Sequence, residues 1–171
     1  MIVKSAKEIK KAAKLSDLVI AKPSKQNLRA FVERLPCDAV VDVEILEARD
    51  PLHFRASGLN QVLARILSRK EKFLCVSFST LLNSENKQVL LGRIAQNVVL
   101  CKKYDVPIIA GSFARTPFEM IYFHDVVSFF SVFRVEPKKT KQNYKKLIDR
   151  ILFNRKKKTH SFVAKGIEIV E

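Results

Sequence analysis

Residues 57–78 read SGLNQVLARILSRKEKFLCVSF, a helical pattern followed by an apolar strand pattern. The apolar positions of the first part repeat at intervals of three and four and predict one buried helix face: Leu59, Val62, Leu63, Ile66 and Leu67. Ser57 is the predicted N-cap, because a serine oxygen can accept a hydrogen bond from a free first-turn amide. The apolar run 73–78 then predicts a strand.

The same alternation continues on both sides of this stretch. Further strands are predicted at 1–3, 18–21, 39–43, 106–110 and 162–170, and helices at 6–15, after Ser24, from about 84 to 104 and from Pro137. The apolar segment 124–133 is compatible with a helix or a strand, and a helix is favoured. The last helix is expected to have a core side: Tyr144, Leu147, Ile148, Ile151 and Leu152. Strands alternating with helices favour parallel pairing through right-handed crossovers.

The length of the chain limits the architecture. A complete eight-unit barrel usually needs more than about 200 residues, and this chain has 171. Two α/β architectures remain from the pattern alone: an open doubly wound sheet, or a reduced or incomplete TIM-like (β/α) barrel with parallel strands. No second domain is evident, so residues 1–171 are expected to form one domain.

The charge of the chain points to a polyanionic partner. The formal net charge is +15, and residues 134–165 carry twelve Lys and Arg against Glu136 and Asp149. A basic domain of this kind is a candidate for nucleic-acid binding, although a solubilising surface is the alternative. The compact run Arg155-Lys156-Lys157-Lys158 is expected to be a mobile electrostatic tether, with a solvated loop as the alternative.

Catalytic motifs are scarce. The chain has no dinucleotide-binding glycine motif, no phosphate-binding Walker loop and no nucleophile elbow. Asp42, Glu44 and His53 are the conceivable ligands of a metal-dependent barrel phosphohydrolase, but an acid that caps a helix or forms a salt bridge is the favoured interpretation. A generic RNA-binding module is a third hypothesis, since the basic C-terminal region alone would suffice for it.

Cysteine use and hydropathy predict a location. The three isolated cysteines, Cys37, Cys75 and Cys101, suggest buried thiols in a reducing cytoplasm. The chain has no apolar run of 18 residues and no secretory signal pattern. A cytoplasmic protein without a membrane partner is therefore expected.

Three sequence blocks together carry a family resemblance. They are HFRASGLNQVL at 53–63, RIAQNVVLCKKY at 93–104 and GIEIVE at 166–171. From residue 39 to the C-terminus the chain resembles the RNase P protein component 3 family, the archaeal and eukaryotic thirty-kilodalton-type subunit of the tRNA-maturing ribonucleoprotein. It departs from the family pattern at Phe113, where a glycine is common, at Ile121, where an arginine is common, and in a shorter N-terminal part.

The resemblance implies a barrel-like, noncatalytic RNase P subunit. Such a protein binds the catalytic RNase P RNA, works with protein component 2 and the other protein subunits, and meets precursor tRNA indirectly while its 5′ leader is removed. No catalytic residue or cofactor is then expected on the protein, and magnesium is expected for the RNA.

The resemblance and the charge also suggest contact residues. Arg55 and Arg93 are the strongest candidates for RNA or subunit contact, with Ser57 and Asn60 shaping the loop. Lys102 and Lys103 are candidates too, unless they only complement the dipole of the helix that they end. The remaining candidates are Arg65, Arg155, Lys156, Lys157 and Lys158.

Overall fold

A computed structural model describes residues 1–158, 162–164 and 167–168. The strands are β1 Ile2–Val3, β2 Ile20–Ala21, β3 Ala39–Val41, β4 Phe73–Ser77, β5 Ile108–Gly111, β6 Phe162–Ala164 and β7 Ile167–Glu168. The helices are α1 Ala6–Leu15, α2 Leu28–Glu33, α3 Gln61–Arg69, α4 Phe78–Leu82, α5 Lys87–Tyr104, α6 Phe123–Val132 and α7 Pro137–Lys156. Short 3-10 helices occupy Val43–Ile45 and Pro117–Glu119.

The central sheet has five parallel strands in the order β1-β2-β3-β4-β5. Each crossover leads to the next strand along the sheet, whereas a doubly wound sheet reverses its order at a switch point. The doubly wound alternative is therefore wrong. An open, sequentially ordered parallel sheet confirms the predicted incomplete TIM-like barrel.

The two faces of the sheet have different covers. Helices α1, α2, α3, α5 and α6 pack one face, where Phe31, Leu67 and Phe130 are fully buried. The opposite face carries a smaller cluster around Val41, Phe73 and Cys75, against which α7 packs. Because the side chains of a strand alternate between faces, the near-continuous apolar runs of β3 and β4 serve both cores.

Helix α7 also covers the free edge of β5. The amide of Leu74 in β4 donates to Pro107 O, so the polar groups of Ile108 and Ala110 face away from β4. Asn143 Nδ2 donates to Ile108 O at 2.9 Å. The hydroxyl of Tyr144 accepts from Ala110 N at 3.1 Å and donates to Ala110 O. These side chains satisfy an edge that would otherwise remain open for pairing.

This packing confirms part of the predicted core side of α7, since Tyr144 and Leu147 pack against the buried clusters, and corrects another part. Ile148 and Leu152 are 56% and 49% exposed. The most deeply buried side chains of α7 are the polar Thr140 and Asn143. Polar residues are tolerated there because Asn143 bonds the strand backbone.

Several predicted helix starts also differ from the structure. Asn60, not Ser57, caps α3, and its Oδ1 accepts from Leu63 N at 2.8 Å. Helix α2 begins after Asn27 rather than at Ser24. Phe78 does not end β4 but begins α4.

The end of the chain is described only in part. Strands β6 and β7 pair antiparallel, which agrees with the strand structure predicted for this region. Gly166 and residues 169–171 of the third sequence block lie outside the described residues, as do residues 159–161 and Lys165 of the basic region. Among the described helices, none is long and apolar enough to cross a membrane.

Candidate nucleic-acid interface

Asp50 is the centre of the loop between β3 and α3. Its Oδ1 accepts from Arg93 Nε and from Ala56 N, both at 2.8 Å, and its Oδ2 accepts from Arg55 Nη1 at 2.9 Å. Burial alone would raise the pKa of Asp50, but the hydrogen bonds from Arg55, Ala56 and Arg93 outweigh it and lower the pKa to about 2. The carboxylate is thus a stable anion that joins two arginines.

Two side chains of helix α5 form hydrogen bonds with the backbone of this loop. Arg93 Nη1 donates to Glu44 O at 3.0 Å and to Glu47 O at 2.7 Å. One turn later, Asn97 Nδ2 donates to Ser57 O at 3.1 Å. Residues 44–57 are therefore tied to α5 by two buried polar side chains. These contacts unite the first two sequence blocks of the family resemblance.

One glycine in the loop is required by its geometry. Gly58 has φ of +76°, and a Cβ atom there would lie 2.0 Å from Val43 O. Any side chain would collide with backbone, so glycine allows the loop to approach the 3-10 helix Val43–Ile45 this closely.

The structure corrects the predicted contact role of Arg93 and agrees with the predicted role of Ser57 in shaping the loop. Arg93 and Ser57 are only 5% and 2% exposed. Arg93 lies on the buried face of α5 and donates hydrogen bonds to Asp50 and to two backbone carbonyls. Both residues shape the loop and do not face outward.

Other candidates do lie at the surface. The Arg55 side chain is 52% exposed even though it is paired with Asp50. Arg65 lies over the Tyr104 ring, 5.3 Å from its centroid, and Lys103 lies 5.7 Å from the same centroid. Asn60 helps to line a hollow beside Arg55. These residues from α3, α5 and the loop provide exposed cations beside polar backbone.

Lys102, another predicted contact residue, forms a hydrogen bond within the fold. Its Nζ donates to Arg134 O at 2.9 Å, which links the end of α5 to the connection between α6 and α7. Arg134 has φ of +58°, a left-handed conformation in which a non-glycine residue is uncommon.

The C-terminal basic run is not a mobile tether. Arg155 and Lys156 belong to α7. Arg155 Nε and Lys158 Nζ both donate to Asp17, at 3.1 and 2.9 Å, and these hydrogen bonds lower the pKa of Asp17. Lys157 lies 4.4 Å from the centroid of the Phe153 ring. The run ends a helix that is bonded to Asp17, in the connection between α1 and β2.

The residues suggested for metal hydrolysis do not form a ligand cluster. Glu44 is 1% exposed, and neither of its carboxylate oxygens has a hydrogen-bond partner. Burial raises its pKa to about 8, so its neutral form is favoured. Asp42 pairs with Lys22 at 2.5 Å, and His53 is exposed. Within the described part of the chain, no three His, Cys, Asp or Glu residues are grouped as a metal site would need.

Sequence reasoning gave Asp50 no role, although a signal exists. Asp50 is the only acidic residue between Glu47 and Glu71, in a segment that carries four arginines. A lone acid among several cations is expected to pair with more than one of them. Asn97 has no comparable signal, because its partner is a backbone carbonyl.

Comparison with known proteins agrees with the resemblance. The family model described as RNase P subunit p30 matches residues 3–160. Ribonuclease P protein component 3 of Methanococcus maripaludis strain C6 is 31% identical over 134 residues, which are 76% of this chain and 56% of that protein. The Methanocaldococcus jannaschii protein of the same name is 31% identical over 136 residues, with the same shares of the two chains.

A solved structure shares the fold. A chain in the cryo-EM structure of archaeal ribonuclease P with mature tRNA matches with a TM-score of 0.81 and 23% identity, over 99% of this chain and 74% of that one. The chain spans little more than half the length of the curated relatives that it matches. With a family model that matches nearly its whole length, the chain belongs to the RNase P subunit p30 family.

Proposed function

We propose that this chain is a noncatalytic protein subunit of ribonuclease P that binds the catalytic RNA and supports removal of the 5′ leader from precursor tRNA. The observation that carries the proposal is the family match over residues 3–160. The Asp50-centred loop supports it, because it unites the two family-like sequence blocks in one surface with exposed cations.

The chemistry of the surface suits RNA backbone binding. Arg55 presents a planar guanidinium, which can hold a phosphate with two parallel hydrogen bonds. Arg65, Lys103, Lys156 and Lys157 are proposed as further contacts, whereas Arg93, Ser57 and Asn60 hold the loop in shape. In this proposal, magnesium serves the RNA, the chain contributes no catalytic residue or cofactor, and the complex works in the cytoplasm.

Protein component 2 is the proposed protein partner. Large apolar side chains are exposed in the segment before α6: Phe118 is 96%, Met120 70% and Tyr122 82% exposed. Exposed apolar side chains that lie together are typical of protein contact surfaces. We expect F118S/Y122S to weaken co-purification with component 2 and to leave RNA affinity unchanged. Normal co-purification would contradict this assignment.

Omission from a reconstituted holoenzyme tests the function. The RNase P RNA and the other protein subunits are assembled with and without this chain, and precursor-tRNA cleavage is measured at low magnesium. The proposal predicts a marked loss of cleavage on omission and recovery when the chain is added back. An unchanged rate would contradict it.

A further inference from the structure

We infer that the outer face of α7, formed by Lys138, Lys141 and Lys145, is a second binding surface for the phosphate backbone of the RNA. This inference rests on the proposed function and extends it to a part of the molecule remote in sequence from Arg55. Three observations carry it: the orientation of α7, the absence of anionic partners for these lysines, and the groove that they border.

The inward contacts of α7 determine which face points outward. Asn143 and Tyr144 are hydrogen-bonded to β5, so the helix cannot rotate without breaking those bonds. Lys138, Lys141 and Lys145 follow the spacing i, i+3 and i+7, which places them on one face of a helix. All three are exposed.

Helix α7 separates its paired cations from its unpaired ones. Lys139 pairs with Asp105 at 2.7 Å, and Arg150 pairs with Glu71 at 3.1 Å. By contrast, the side chains of Lys138, Lys141 and Lys145 make no hydrogen bond or ion pair with any part of the chain that the structure describes. The sequence also has no acidic residue between Glu136 and Asp149.

The unpaired lysines border concave surface. Lys138, Lys141 and Lys145 line one hollow together with Gln142. Lys141 also lines a groove between α6 and α7, which His124 and Ser128 enter from α6. Amide, imidazole and hydroxyl groups beside an ammonium are suitable hydrogen-bond partners for phosphate oxygens and ribose hydroxyls.

Electrostatics favours a polyanion at this face. Lys138 and Lys145 are seven positions apart, or about 10 Å along the helix axis, which is about one Debye length at 0.1 M salt. Their fields therefore add. Like charges at these spacings destabilise a helix by a few tenths of a kcal/mol per pair, and a bound phosphate backbone would remove that repulsion and release counterions.

The chain offers a matched control. Lys7, Lys10 and Lys14 on α1 are exposed and have the same i, i+3, i+7 spacing. Unlike the segment between Glu136 and Asp149, this helix has an acidic residue, Glu8, next to Lys7 in the sequence. The variants K138Q/K141Q/K145Q and K7Q/K10Q/K14Q each remove three charges and lower the formal net charge from +15 to +12. Glutamine and lysine have similar helix propensities, so both variants are expected to fold, which thermal unfolding checks.

The test is equilibrium binding of the 171-residue chain to an in vitro transcribed archaeal RNase P RNA at several salt concentrations. We expect K138Q/K141Q/K145Q to reduce the steepness of log K against log salt by about 2, since each lost phosphate contact removes about 0.7 to 0.9. Its affinity at 0.1 M salt should fall about tenfold or more. K7Q/K10Q/K14Q should retain the wild-type slope and affinity.

Three outcomes would overturn the inference. Equal losses of RNA affinity in both variants would show an effect of net charge alone. An unchanged affinity of K138Q/K141Q/K145Q would show that the RNA does not use this face. In both cases, RNA binding by the wild-type chain would still support the proposed function. Normal RNA binding with lost assembly with component 2 would place a protein on this face instead. Failure of the wild-type chain to bind the RNA would count against the proposed function itself.

Discussion

Arg55 and Arg93 share one carboxylate but differ in what they do for the molecule. Arg93 is buried and ties Asp50 and two carbonyls to α5. Arg55 is half exposed and keeps part of its guanidinium available. Removing a buried charge partner destabilises a fold far more than removing an exposed one, so stability and RNA binding should depend on different arginines.

Replacing Arg93 should chiefly affect folding. R93A leaves Asp50 without a buried partner and leaves the Glu44 and Glu47 carbonyls without a donor, so we expect the free energy of unfolding to fall by about 3 to 5 kcal/mol. Urea denaturation measures this change. A loss below about 1 kcal/mol would show that Arg93 does not hold the loop.

Replacing Arg55 should chiefly affect RNA binding. We expect R55A to lower the free energy of unfolding by less than about 1 kcal/mol and to weaken RNA affinity several-fold. The matched control is R29A, which removes an exposed arginine that pairs with Glu33 at 3.2 Å and should leave affinity unchanged. Equal affinities of R55A and R29A for the RNA would count against a contact role for Arg55.

The buried Glu44 predicts a pH dependence of stability. Burial raises its folded-state pKa to about 8, against 4.5 for an unperturbed side chain. Between these two values the unfolded state has lost a proton that the folded state keeps, so this group makes stability fall as pH rises, by at most about 1.4 kcal/mol per pH unit.

The variant E44Q keeps a neutral side chain of similar size at every pH. We therefore expect its stability relative to the wild type to improve between pH 5 and pH 8, as measured by urea denaturation across that range. A stability difference independent of pH would show that Glu44 ionises freely in the folded protein.

At the scale of elements, α7 bonds the edge of β5 with one face and presents lysines on the other. The sequence pattern predicts some of these features better than others. The limits and basic character of α7 follow from Pro137 and from its lysines. Its buried face follows only in part. Tyr144 and Leu147 pack inward as the periodicity predicts, but the polar Thr140 and Asn143 are buried and the apolar Ile148 and Leu152 are exposed. Periodicity detects burial of apolar side chains, and it fails where a helix is docked by hydrogen bonds to a strand edge.

The hydrogen bonds of α7 to the edge of β5 predict that two tyrosine-to-phenylalanine variants differ in stability. Y144F leaves the Ala110 N–H and C=O without their side-chain partner and should cost about 1 to 3 kcal/mol. Y104F removes a hydroxyl that donates to Gln61 Oε1 in an exposed bond and should cost less than about 0.5 kcal/mol. Thermal or urea unfolding of both variants checks the difference, and equal stabilities would show that the edge bonds contribute little.

Local signals also explain which other elements could be predicted. The alternation of apolar strands and helices predicts the parallel α/β class and the limits of α1. It leaves a doubly wound sheet and an incomplete barrel as alternatives, and only the family resemblance favours the barrel. The pattern does not decide the cap of α3, because Ser57 and Asn60 are both good capping residues and the structure uses Asn60. Phe78 was assigned to a strand because its apolar character does not distinguish the end of β4 from the start of α4.

At the scale of the whole molecule, the excess positive charge has an uneven distribution. Asp17, Asp50 and Glu71 pair with cations that hold the fold together. The exposed part of Arg55 and the outer face of α7 retain charge for a partner. Apart from Ser57 and Asn60, the site residues could be predicted from the sequence only as a list of cations, since the sequence does not show which of them are neutralised internally.

The account depends on this chain binding RNase P RNA while leaving the chemistry to that RNA. The most direct measurement is competition between labelled RNase P RNA and an unlabelled ribosomal RNA fragment of equal length for the purified chain, with precursor tRNA incubated with the chain alone in parallel. The account predicts preferential retention of RNase P RNA and an intact 5′ leader in the parallel sample. Equal competition by ribosomal RNA, or leader cleavage by the chain alone, would contradict it.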